Sequence, residues 1–173
     1  MIQRAFWAFT LLALGFASIA RGQAITILNT NAPGEGFNDP TPRVRDNNVQ
    51  PTTLGQDRLN CFAAAAQVWA NYLIISIPVV VDAKFESLGG SAFGAILGFC
   101  GPTDVVNDFT GTPIPGMLFV AAQANQLAVT DLTPGAEMES QFNADVDNPI
   151  VLGSVSWYYG IDGNTPPGKI DFF

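Results

Sequence analysis

Ile77-Pro78-Val79-Val80-Val81-Asp82-Ala83-Lys84-Phe85-Glu86 is the stretch that decides the fold. Three consecutive valines, then alternation of apolar and polar residues, mark a strand. Pro78 has no N–H for a ladder and belongs at the strand's start or on an edge. Directly upstream, Thr53 to Leu73 reads as the clearest helix of the chain. Leu59, Phe62, Ala66, Trp69 and Leu73 recur at spacings of three and four and form one apolar stripe, with Cys61, Ala65, Val68 and Tyr72 beside it. Thr53 followed by Gln56 fits a capping box. So wide an apolar face suits a helix laid across a sheet, and Ala63 to Ala66 allow close approach to the strands.

Further upstream, Ile25-Thr26-Ile27-Leu28-Asn29 alternates and reads as a first strand. Strand, helix and strand together predict a βαβ unit with parallel strands and a right-handed crossover. The expected class is therefore α/β, in the mixed α+β sense: a mixed β-sheet with one long packed helix. Between the first strand and the helix, Ala32 to Gln50 is rich in turn residues and predicts a long surface loop.

Downstream the pattern weakens. Leu88 to Gly101 is rich in glycine and alanine, and Phe109 to Gly116 is a turn-rich connection. Met117 to Ala121 predicts a short strand and Gln123 to Val129 a helical turn. Thr133-Pro134 offers a helix start, but Met138, Ser140 and Phe142 alternate with Glu137, Glu139 and Gln141, and the alternation favours a strand. Val151 to Tyr159 predicts another.

Composition bounds the function. The chain has 173 residues, enough to bury a core as one domain, and 48% of them are hydrophobic. It carries 7 basic against 15 acidic residues with no basic cluster, which argues against nucleic acid and anionic membranes as partners. It contains no histidine, which excludes a Ser-His-Asp triad, a Cys-His dyad and a His-ligated zinc within this chain.

Arg4, the apolar run Phe6 to Ala20 and the small residues at Gly22-Gln23-Ala24 have the layout of a secretory signal peptide over residues 1–24. The alternative is a membrane anchor, but an apolar run of about 15 residues falls short of the roughly 20 needed to span. Residues 25–173 then form a single secreted domain, extracellular or periplasmic, with a formal charge of about −10 once Arg4 and Arg21 are removed. In an oxidising compartment Cys61 and Cys100 permit one disulfide; two free thiols are the alternative.

The C-terminal stretch, Ser156-Trp157-Tyr158-Tyr159-Gly160-Ile161-Asp162-Gly163-Asn164, then Thr165 to Phe173, reads as an aromatic strand, a turn and the start of a new apolar element. Ile170, Phe172 and Phe173 begin that element without polar closure or a glycine cap, so a further element is expected after Phe173, with self-association through this exposed end as a consequence. Trp157, Tyr158 and Tyr159 point alternately to two sides of the strand. Core packing accounts for at least one, and a remaining ring lines a cleft or faces a missing part of the domain. These three are the candidate substrate-binding residues.

Ile25-Thr26-Ile27, Gly34-Glu35-Gly36-Phe37-Asn38-Asp39, Arg58-Leu59-Asn60, Gly101-Pro102-Thr103, Gln141-Phe142-Asn143, the Trp157 to Asn164 run and Ile170-Asp171-Phe172 occur in an order that resembles one known group. It is the upstream half of the catalytic domain of secreted bacterial zinc-metalloprotease-like proteins of metzincin-like architecture. The resemblance implies that the Ile-Asp-Phe element leads into a helix carrying H-E-x-x-H, whose histidines bind zinc and whose glutamate activates water. It implies a chain truncated before that helix: inactive alone, with zinc and a protein or peptide substrate only if the domain is completed beyond Phe173. None of the family's metal or catalytic roles falls on a residue of this chain. The alternative is a secreted non-catalytic binding or structural module.

Two carboxylate groupings are weaker. Asp162, Asn164 and Asp171 lie near the turn but lack EF-hand spacing, and a solvated turn is the expectation. Glu137 and Glu139 would share one strand face, as a glycosidase pair does not, and a solvated face is expected.

Overall fold

The computed structural model describes residues 24–44 and 51–173. The leader expected over residues 1–24 lies, apart from Ala24, outside the described residues, as does part of the loop expected up to Gln50. The chain builds a mixed α and β fold; the strand expected over Ile77–Glu86 runs over Val79–Glu86 and lies inside the sheet, with Pro78 just ahead of it. This strand, β4, pairs in parallel with β1 (Ile25–Asn29), with Ile27 opposite Val81. On its other side it pairs in parallel with β8 (Met138–Asn143), with Phe85 opposite Phe142. An edge strand, β5 (Gly98–Pro102), lies antiparallel to β8, giving the order β1-β4-β8-β5.

Period-two alternation drives one face of β4 inward: Val81, Ala83 and Phe85 are buried. The long helix α1 (Leu54–Tyr72) covers that face, and Phe62 meets Phe142 edge-on at 5.4 Å. Thr53 caps the helix, its hydroxyl accepting from the Gln56 N–H at 3.2 Å. The predicted stripe is covered only as far as Ala66, with Leu59 and Phe62 half-buried and Ala66 buried. Trp69 and Leu73 are exposed, together with Val68, Tyr72 and Ile74, beside a hollow of about 760 Å³ next to Ala24. Among the described residues no helix is long and apolar enough to cross a membrane.

The loop after β1 is exposed over most of its described residues, but it sends Gly36 and Phe37 into the core. Asn31 reaches across to β4, its Oδ1 accepting from the Phe85 and Phe37 N–H groups and its Nδ2 donating to the Phe85 carbonyl. This seats Phe37 at 2% exposure. Gly36 has φ +54, and a Cβ there would collide with the Phe85 carbonyl, so glycine is required. A short strand β2 (Pro42–Val44) then pairs with β3 (Pro51–Thr53).

Between β5 and β8 the chain forms a satellite: β6 (Val105–Val106) pairs with β7 (Phe119–Val120), and α2 (Ala121–Ala128) follows. Phe109, Phe119 and Ala124 make its own small core. Finally β9 (Ser156–Tyr158) and β10 (Lys169–Asp171) pair in parallel beneath the main sheet. Phe172 is not left in solvent. It packs on Phe85, Phe142, Trp157 and Tyr159 with centroids 4.8 to 5.8 Å apart, whereas Phe173 is 44% exposed.

One carboxylate expectation is corrected. Glu137 does not stand on a solvated face with Glu139. It is 2% exposed, just ahead of β8, and accepts from the Val80 N–H at 2.6 Å and from Asn125 Nδ2 at 3.0 Å. The ladder hydrogen bonds of Glu137 to Val80 and Thr103 draw the residue between β4 and β5, where a carboxylate must be hydrogen-bonded.

Candidate functional site

The outer side of β5 has no partner strand among the described residues. An extended segment presenting a free row of N–H and C=O groups is a template for another strand. None of its residues, Gly98-Phe99-Cys100-Gly101-Pro102, is charged, so nothing on the strand itself repels an incoming backbone.

Register sets which side chains lie beneath the edge. Gly98 pairs with Phe142 and Cys100 with Ser140, so Gly98 and Cys100 belong to the face that Phe142 occupies. Phe99 and Gly101 belong to the opposite face. A groove of about 370 Å³ opens under β5 on the Phe142 side, walled by Phe142, Trp157, Ile170 and Phe172 and bordered by Asp171. A Cβ at Gly98 would lie 2.7 Å from the Gln141 carbonyl and 2.9 Å from the Phe142 ring, so glycine lets the edge strand sit this close to β8.

The predicted aromatic trio divides. Trp157 borders the groove; its indole Nε1 donates to the Asn143 carbonyl at 2.8 Å, which fixes the ring. Tyr158 is buried and its hydroxyl donates to Asp162 Oδ1 at 2.9 Å. Tyr159 is 1% exposed, and its hydroxyl donates to Asp147 at 2.6 Å and accepts from Arg58 Nε at 3.1 Å. Burial pushes its phenol well above the ordinary range, with Asp147 adding and Arg58 opposing. Of the trio, Trp157 is the one among the described residues lining this groove, and Tyr158 and Tyr159 are buried.

Of the candidate disulfide pair, Cys61 is buried and Cys100 is exposed at the groove's mouth. Cys61 Sγ donates to the Tyr159 carbonyl at 2.9 Å, so it serves the core under α1. Burial raises the Cys100 pKa and the Glu139 charge raises it further, against a lowering hydrogen bond from Gly101, which keeps the group a thiol at neutral pH. The turn oxygens are likewise occupied. Asp162 accepts from Tyr158 and from the Asn164 N–H, and Asp171 accepts from Thr165 Oγ1 and the Phe173 N–H.

Two polar clusters carry no signal in the sequence pattern. Arg58, 2% exposed on α1, donates to the Gly36 carbonyl and Asp147 at 2.9 Å each and lies 4.2 Å over the Phe85 ring. Beside it the fully buried Asp57 meets Arg43 at 3.3 Å. The opposite charges at 57 and 58 are the only charged residues of α1 and are the one sequence feature that could have pointed to a buried ion network. Asn125 and Glu137 form the second cluster, at the junction of the satellite with the sheet.

Among the described residues no group of three or more His, Cys, Asp or Glu side chains is placed to hold a metal ion. The chain contains no histidine, so its residues cannot make a His-ligated zinc site. What the arrangement can do chemically is bind: a strand edge for backbone pairing, and an apolar groove for a side chain. No family model, no curated protein and no solved structure matches the chain.

Proposed function

We propose that this chain is the substrate-aligning N-terminal subdomain of an exported zinc-metallopeptidase-like protein, and that β5 holds an extended peptide by backbone pairing. The observation that carries the reading is the open, uncharged edge of β5 directly above a groove walled by Phe142, Trp157 and Phe172. The resemblance of the Trp157 to Asn164 run and of Ile170-Asp171-Phe172 to such proteins supplies the reaction class, peptide-bond hydrolysis. In this reading the zinc-binding H-E-x-x-H helix follows Phe173. Zinc would supply an activated water there, while this chain's own residues position substrate. The 173-residue chain alone is catalytically silent.

The test begins with the intact mass of the native product and its peptidase activity with and without a chelator. The expected product is larger than 18.4 kDa, with peptides past Phe173 that include H-E-x-x-H, and its activity is lost to the chelator. Peptide hydrolysis by the 173-residue chain overturns the reading. A product with the mass of residues 25–173 transfers the same strand edge to a second reading, a secreted non-catalytic binding module, which the absence of histidine favours.

A further inference from the structure

We propose that the groove under β5 selects peptides with a large apolar side chain, aromatic or branched aliphatic, and rejects acidic ones. The inference rests on the peptide-pairing reading of β5 and names the substrate class for that site. A strand added to β5 points every second side chain to the Phe142 face. The strand's own residues of that face, Gly98 and Cys100, are both small, which leaves space beneath the edge for the guest, and Leu97 and Phe99 add apolar lining. At about 370 Å³ the groove stands at the small end of the roughly 300–1,000 Å³ range of ligand pockets and suits one or two side chains.

Its walls are carbon. Phe142 and Phe172 meet edge-to-face at 4.8 Å and 89°, and Trp157 meets Phe172 at 5.5 Å and 73°. The one polar atom of the indole is spent on Asn143, away from any guest. Among the described residues no lysine or arginine lines the groove, and its one charged group is Asp171, whose oxygens already accept from Thr165 and Phe173. An acidic side chain entering here loses water, gains no donor and meets a like charge. An apolar side chain loses water and gains three aromatic faces.

The test titrates the purified chain with blocked hexapeptides that differ at one central residue, Phe, Leu, Ala or Glu, by calorimetry and by amide shifts in NMR. The Phe and Leu peptides are expected to bind roughly tenfold or more tightly than the Ala peptide, in line with burial of one large side chain. The Glu peptide binds no better than Ala, and the shifts centre on Gly98 to Gly101. Cys100→Trp, which fills the groove from its mouth, removes the preference for Phe over Ala, and Cys100→Ala keeps it. The peptide series on the unaltered chain stands even where Cys100→Trp does not fold. Equal binding of all four peptides at β5 overturns the selectivity and leaves the pairing reading intact. Binding of none of them, or shifts confined elsewhere, overturns the pairing reading with it.

Discussion

Phe85→Ala is the substitution that tests the core most directly. The ring is 1% exposed and has Phe37, Phe142, Trp157, Tyr159 and Phe172 around it at 5.1 to 6.3 Å, with the Arg58 guanidinium 4.2 Å above. Removing it forfeits about 2–3 kcal/mol of transfer free energy and leaves a cavity of roughly 100 Å³, worth about 2 kcal/mol more. Collapse is blocked, because Asn31 pins the Phe85 backbone on both its N–H and its C=O. The expected loss is therefore about 4–5 kcal/mol, at the upper end for such substitutions, out of a total of roughly 5–15 kcal/mol. Urea unfolding followed by tryptophan fluorescence should show the midpoint falling by about 2 M at a slope near 2 kcal/mol per M. Phe85→Leu should lose only about 1–2 kcal/mol. A loss below 2 kcal/mol for the alanine variant, with the slope unchanged, would refute the claim that this ring is the centre of the core.

Three further predictions follow from local geometry. Asn143, fully buried, donates to the Gly89 and Ile96 carbonyls at 2.8 Å each and accepts from Leu88 and Asp145, so Asn143→Ala should cost about 2–4 kcal/mol and speed hydrogen exchange across residues 88–97. Val129 ends α2 in the left-handed region at φ 52, ψ 36, a conformation that crowds a branched side chain, and Val129→Gly should stabilise by about 0.5–1 kcal/mol in a thermal melt. Tyr159, held protonated by burial, contributes stability that is complete below about pH 10 and declines as pH rises from there to its folded-state value. Melting temperatures between pH 8 and pH 11 should fall more steeply for the native chain than for Tyr159→Phe.

The helix and the β1–β4 pair were legible because local chemistry and tertiary role agree there. The valine run, the three-and-four spacing of the helix and the Thr53 cap all ask for the structure they enter. β8 was legible for the same reason, through alternation. The edge strand was not. Gly98-Phe99-Cys100-Gly101-Pro102 has no β-branched residue, and it is a strand because β8 offers it a ladder, a partner 40 residues away in sequence for the Cys100–Ser140 pair. The burial of Glu137, Asp57 and Arg58 escaped for a related reason. A charged residue reads as solvated until its partner is known, and the partners are Val80 and Asn125 in one case and Arg43, Gly36 and Asp147 in the other. Of the aromatic trio, period two separates Tyr158 from its neighbours, but only the packing of Phe172 and Arg58 decides that Trp157 borders the groove and Tyr159 lies within the core.

The buried polar groups explain why β4 holds one register. At its start, Val80 donates to Glu137, 57 residues away; at its end, Phe85 exchanges hydrogen bonds with Asn31, 54 residues away. The apolar middle, Val81, Ala83 and Phe85, supplies burial, which is non-directional. Sliding the strand by one residue would turn Phe85 to solvent and leave a carboxylate and an amide buried without their partners. Polar ends therefore select the register that the apolar middle stabilises. The selection propagates: β4 sets β8 through six aligned pairs, and β8 sets β5 through five. The width of the groove between β5 and the Trp157–Phe172 pair thus depends on Glu137 and Asn31, neither of which lines it. Glu137→Gln should accordingly loosen the groove before it unfolds the chain, seen as weaker peptide binding at denaturant concentrations where the core signal of Trp157 is unchanged.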